Sequence, residues 1–186
     1  MEIFIYYLHY YKNMILEKIV GHGRDVTNLD HDEVRRKIDS LDLGPIGFKL
    51  MNPDSGDGWS REKVERVMEV YKDFLYLSVT QSESMVPTKD VDSFWHTHIL
   101  DTAKYAADCE NTFGFFLHHF PYLGIRGGDD RQNLAIAFGR TKEIFMQELG
   151  KEYGASGETD CKDCGDCADT CGVGTSAYRP TMYSEN

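Results

Sequence analysis

Four of the seven histidines, His96, His98, His118 and His119, fall within 24 residues of one another, together with Asp92, Asp101, Asp108 and Cys109. Neutral imidazole, carboxylate and thiolate are the side chains that ligate zinc, iron or copper, so this segment carries the inventory of a metal site. Helical geometry restricts the pairings. Residues two apart on a helix point about 200° from one another, so His96 and His98 reach one ion only if the helix breaks between them. Asp92 and His96, four apart, share a face. Two arrangements stay open. In one, His98, Tyr105 and Asp108 face inward and His118 arrives from a loop. In the other, Asp92 and His96 take that role and His98 is structural. A histidine beside Trp95 on an apolar face is also a common hydrogen-bonded core residue, and an aspartate near a helix start is a common cap. Clustering favours metal, because each buried imidazole needs a partner if no ion is present.

A second group lies near the C-terminus, where Cys161, Cys164, Cys167 and Cys171 have the ligand spacing of a ferredoxin cluster loop. Gly172 follows the last cysteine where ferredoxins place proline, and no second cysteine group accompanies it. Four thiolates in this pattern suit an iron-sulfur cluster, zinc or copper(I), and the plain alternative is a thiol-rich tail without an ion. The remaining cysteine, Cys109, is expected to be a buried structural thiol rather than a nucleophile. The chain has no glycine-rich phosphate loop, no nucleophile elbow and no His-Glu-x-x-His zinc helix.

The elements that must position these residues read as helices throughout. Val34, Ile38 and Leu41 recur at helical spacing behind Asp30, predicting one short helix from Asp30 to Leu43. Gly44-Pro45-Ile46-Gly47 reads as punctuation, and residues 52–58 read as a surface loop. Ser60 is suited to cap an amphipathic helix from Arg61 to about Leu77, with Val64, Val67, Met68, Tyr71, Phe74 and Leu75 on its buried face. Thr88 or Asp90 opens a third helix bearing Val91, Phe94 and Trp95, and a fourth covers Thr102 to Phe113 and stops at Gly114. Phe115 to Gly128 should be irregular. A last helix from about Asp129 to Leu149 offers Leu134, Ile136, Phe138, Ile144, Phe145 and Leu149 to the core and ends at Gly150. No alternating strand pattern is present. The expected fold is all-α, a single small helical bundle.

A chain of 186 residues accommodates one well-packed domain plus a tail. The divisions expected are an apolar N-terminal segment at residues 1–13, a helical domain at 14–150 and an acidic, Cys-rich, flexible tail at 151–186. Residues 1–13 lack the basic start and small-residue cleavage site of a secretory signal and are too short to span a bilayer. Met14 is an alternative start. The expected compartment is therefore the reducing cytoplasm. Acidic residues outnumber Lys and Arg by 31 to 20, for a formal charge of −11, and no basic run occurs. Nucleic acid and anionic membranes are thus not expected as direct partners, whereas a protein partner is open.

The string Val91-Asp92-Ser93-Phe94-Trp95-His96-Thr97-His98, followed by Tyr105, Asp108-Cys109, Phe113-Gly114 and His118, resembles the glycine-rich domain-containing protein-like family. The family pattern is an aspartate, a Trp-His-x-His unit, a Tyr-x-x-Asp-Cys unit, a Phe-Gly pair and a downstream histidine. The resemblance is tight over about 30 residues. It implies a helical domain and a shared site at His96, His98, Tyr105, Asp108, Cys109 and His118. His119-Phe120 stands where the plant members have acidic residues, so His119 is a substitute ligand on this reading. The glycine-rich and nucleic-acid-associated regions of the plant members are absent, and no RNA role is carried over.

The functional expectation is a metal-binding helical protein whose ion is zinc or iron. His96, His98 and His118 lead as ligands, Asp108 acts as ligand or orienter, and Asp92 and His119 are further candidates. The rivals are a protein-interaction module with structural histidines, and a redox or metal-storage role centred on the cysteine tail.

Overall fold

Apolar residues at helical spacing, in four of the runs opened by a side chain that accepts from a free backbone amide, produce six helices among the described residues of the computed structural model, residues 30–154. These are α1 His31–Asp39, α2 Gly44–Met51, α3 Arg61–Thr80, α4 Lys89–Leu100, α5 Thr102–Phe113 and α6 Gly128–Leu149. The fold is all-α, and no strand occurs among the described residues. Residues 1–13, Met14 and the four tail cysteines lie outside them.

Capping sets most of the boundaries. Asp30, Ser60 and Thr88 accept from the amides of Glu33, Lys63 and Val91, three residues on in each case. Gly114 and Gly150 end α5 and α6 in the left-handed conformation, at φ 74° and 63°, which glycine adopts without the Cβ clash. No helix among the described residues is long and apolar enough to cross a membrane.

Two elements differ from expectation. The first helix ends at Asp39 rather than Leu43, because Ser40 turns its hydroxyl back onto the Lys37 carbonyl and the chain tightens there. Residues 44–47 are not punctuation: they open α2. Pro45 sits in the first turn, where a missing amide costs nothing, and Ile46, Gly47 and Leu50 are buried. Gly47 is needed for contact, since a Cβ there would lie 2.7 Å from Val64 Cγ1. The short helix therefore rests directly on α3.

α3 is the central element, packing against α1, α2 and α4, and α5 lies across α4 and α1. Tyr71 and Phe74 of α3 meet Phe94 and Trp95 of α4, with Tyr71–Phe94 and Phe74–Trp95 ring centroids 5.0 and 5.3 Å apart, and Leu75 and Leu77 are buried in the same core. α6 joins through Ile144, Phe145 and the buried hydroxyl of Thr141, which accepts from the Val86 amide. Ile136, expected in the core, is 53% exposed. The packed chain continues past Gly150, with Tyr153 buried and stacked on Phe145 at 3.9 Å.

The loop between α5 and α6 is closed by one carboxylate. Asp130 accepts from the amides of Gly124 and Arg126 and from the Arg126 guanidinium, with its shortest contacts at 2.6 Å. Burial alone would raise the Asp130 pKa, but the Arg126 side chain and the two amides outweigh it and hold the carboxyl below its ordinary value. A depressed carboxylate contributes stability above its unfolded pKa, ordinarily 3.8, and loses it as pH falls through the folded value. Asp130→Asn is therefore expected to cost about 1.5–3 kcal/mol at neutral pH. In urea titrations this difference should shrink steadily below about pH 4. A gap between the two proteins that stays constant down to about pH 2 would contradict it.

Candidate metal centre

Helix α4 begins where Thr88 caps it, and the Thr88 amide donates to the Tyr153 hydroxyl at 2.9 Å, which fixes the helix start against the C-terminal segment. Asp92 follows in the first turn and His96 one turn later, on the same face. His96 Nε2 lies 3.7 Å from Asp92 Oδ2.

The third member comes from the loop. Tyr105 on α5 accepts from the Trp95 indole N–H and donates to the carbonyl of Leu117, itself buried. Two residues beyond that anchor, His119 sets its ring edge-on to Trp95 at 4.4 Å and donates from Nε2 to Asp92 Oδ1 at 2.8 Å. The His96 and His119 rings are 4.6 Å apart. One donor atom from each of Asp92, His96 and His119 lies within 4.8 Å of the others. These are two imidazoles and one carboxylate with their donor atoms close together, a set that could hold a divalent ion if the donors closed to bonds of ~2.1 Å and the ion replaced the His119–Asp92 hydrogen bond.

Solvent reaches this point unevenly. The side chain of His119 is 12% exposed, that of Asp92 36% and that of His96 48%. His119 is thus mostly enclosed by its neighbours, while His96 lies at the surface.

The other residues singled out in the sequence lie elsewhere. His98, two positions from His96, is fully buried on the opposite side of α4 and belongs to a separate network. Its Nε2 is 2.9 Å from Asp108 Oδ2 and its Nδ1 is 2.9 Å from the Tyr71 hydroxyl. A carboxylate only accepts, so Nε2 carries the proton and Nδ1 of the neutral ring accepts from Tyr71. Burial lowers the His98 pKa and the Asp108 hydrogen bond only partly restores it, so the neutral ring is favoured. Asp108 is shared with Lys104 Nζ at 2.8 Å. His118 is exposed and lies against Phe116, outside the triad. Asp101 caps α5, accepting from the Lys104 amide. Cys109 is buried, and burial pushes its thiol pKa up, away from nucleophilic use.

Sequence reasoning paired Asp92 with His96 correctly as neighbours on one face. It did not identify Tyr71 as the partner of His98, because Tyr71 reads as one more apolar residue on the face of α3. Nor did it find the Trp95–Tyr105–Leu117 chain, whose last member is a backbone carbonyl and carries no residue-type signal.

Residues 48–138, which contain the whole triad, match a family model described as UCP032817-like. Glycine-rich domain-containing protein 1 of Arabidopsis thaliana is 27% identical over 152 residues, a match covering 72% of this chain and 18% of that protein. The chain thus spans less than a fifth of the length of the curated relative it matches. No solved structure matches. The resemblance to the glycine-rich domain-containing protein-like family, carried by the Asp92–His118 segment, is borne out by these comparisons.

Proposed function

We propose that the protein binds one divalent transition metal ion, zinc or iron, through Asp92, His96 and His119. The observation that carries this reading is the convergence of three ligating atoms, from two turns of α4 and an anchored loop, within 4.8 Å of one another. Imidazole and carboxylate suit both metals. His98 and Asp108 serve the reading indirectly. They fix the buried side of α4 and α5, so that Tyr105 can hold the loop that delivers His119.

The test is elemental analysis of the full chain purified without oxygen. About one equivalent of zinc or iron is expected in the wild type, and it should persist when Cys161, Cys164, Cys167 and Cys171 are all replaced by serine. Asp92→Ala and His119→Ala should each weaken binding by more than the ~10–100-fold typical of losing a supporting residue around a ligand, since each removes a ligand itself. Metal that disappears with the four cysteines would move the site to the tail. Wild-type protein carrying no metal, with the helical fold intact, would sink the reading.

A protein-interaction module is the second reading, and one observation favours it. Phe48, Leu100 and Ile125 project 70%, 80% and 63% of their surface to solvent. Such a role is compatible with a metal-free triad held by its own hydrogen bond, and the same elemental analysis separates the two. The cytoplasm is the proposed compartment.

A further inference from the structure

Among the described residues, no fourth His, Cys, Asp or Glu donor joins the triad. His98 commits both ring nitrogens, to Tyr71 and Asp108. Asp108 is divided between His98 and Lys104. Cys109 is buried, Asp90 is paired with Lys63 at 2.7 Å, and His118 lies out against Phe116. At the triad itself, Asp92 and His96 face solvent. A structural zinc site takes four protein ligands and closes, whereas three protein ligands leave a coordination position to water or an incoming molecule. Two imidazoles and one carboxylate with open positions are also a donor set of mononuclear ferrous sites.

Resting on the metal reading above, we infer that the ion at Asp92, His96 and His119 is coordinatively open on its solvent side and takes a small anion there. Charge decides the class of ligand. Two neutral imidazoles and one carboxylate leave a divalent ion with one net positive charge, so an anion entering the open position neutralises the centre and a neutral molecule does not. The partial burial of His119 and the Trp95 ring beside it shield one side of the ion and strengthen that attraction.

Cobalt(II) and azide test this on the full-length chain. Cobalt reports its coordination number through its visible absorption, and azide is a small anion that binds only where a position is open. Cobalt bound at about one equivalent, lost in His119→Ala, and shifted saturably by azide is the expected result. The shift should be unchanged when the four tail cysteines are serine. Cobalt bound through the triad but unaffected by azide would overturn this inference and leave the metal reading standing. An intense thiolate charge-transfer band that is lost both in His119→Ala and with the cysteines would also overturn it, because the tail would then close the shell. Failure of cobalt to bind in a triad-dependent way would remove both.

Discussion

His98→Ala is expected to destabilise the protein by about 3–4 kcal/mol while leaving the three triad donors in place. The imidazole is 1% exposed and both nitrogens are bonded, so the substitution leaves a cavity and strips a partner from the buried Tyr71 hydroxyl and from Asp108. Asp108 keeps Lys104 and lies nearer solvent, so the larger share of the loss falls on Tyr71. The Tyr71 hydroxyl is held far above its ordinary pKa by burial and has no ionised form to fall back on. Tyr71→Phe, which removes the donor along with its need for a partner, should therefore cost less than His98→Ala, about 1 kcal/mol. Urea denaturation of the two variants and the wild type measures both quantities. A His98→Ala cost below about 1 kcal/mol would show that the network contributes little beyond filling space. Some weakening of metal binding in folded His98→Ala would follow from a looser Tyr105 anchor for the loop that carries His119, whereas metal retained in folded Asp92→Ala and His119→Ala but lost in His98→Ala would mean that His98 reaches the ion after all.

The contrast between His96 and His98 shows how far local pattern reaches. A helical repeat of about 3.6 residues forces side chains two apart onto different sides, so that His96 and His98 diverge is legible in the sequence, although the leading expectation still placed both among the ligands. What the repeat does not say is which side faces the core. That is decided by Tyr71 and Asp108, 27 and 10 residues away. The choice of His119 over His118 is likewise tertiary. Adjacent residues in an irregular loop point in different directions, and here Tyr105 fixes the Leu117 carbonyl and Trp95 receives the ring two residues later. The resemblance to the glycine-rich domain-containing protein-like family placed a downstream histidine in the site at His118, and the geometry brings in His119.

Helix starts were legible because Asp, Ser and Thr cap through their own side chains, a local event. The error at Gly44–Gly47 has an equally local cause. Glycine and proline usually mark turns, but proline is tolerated in a first helical turn and Gly47 is required by the approach of Val64. Nothing in the pattern announces that a second helix needs to pass so close. Ile136 was misassigned because α6 is held to the bundle mainly near Thr141, Ile144 and Phe145, leaving its N-terminal half with weaker cover than a full apolar stripe suggests.

The same blindness to tertiary partners hid Asp73, which follows Lys72 on α3 and reads as a surface residue but is 3% exposed. Its carboxylate accepts from Arg35 Nη1 at 2.7 Å and from Lys151 Nζ at 2.5 Å, joining α1 and the segment after α6 to the central helix. Asp73→Asn preserves size and removes the charge, so the expected loss is about 2–3 kcal/mol. The loss stays below the ~3–5 kcal/mol of a fully enclosed pair because both cations reach solvent, Lys151 more than Arg35 at 55% and 31% exposed. Arg35→Ala should accordingly cost more than Lys151→Ala, whose contribution is within the ~0–1 kcal/mol of a surface pair. Local opening distinguishes this clamp from a general loss of stability. With Asp73→Asn, amide exchange in α1, a helix of nine residues that depends on packing to persist, should accelerate before that in α3 or α4. Uniform acceleration across all helices, or a stability change below about 0.5 kcal/mol, would mean that α1 is held by Val34 and Ile38 alone.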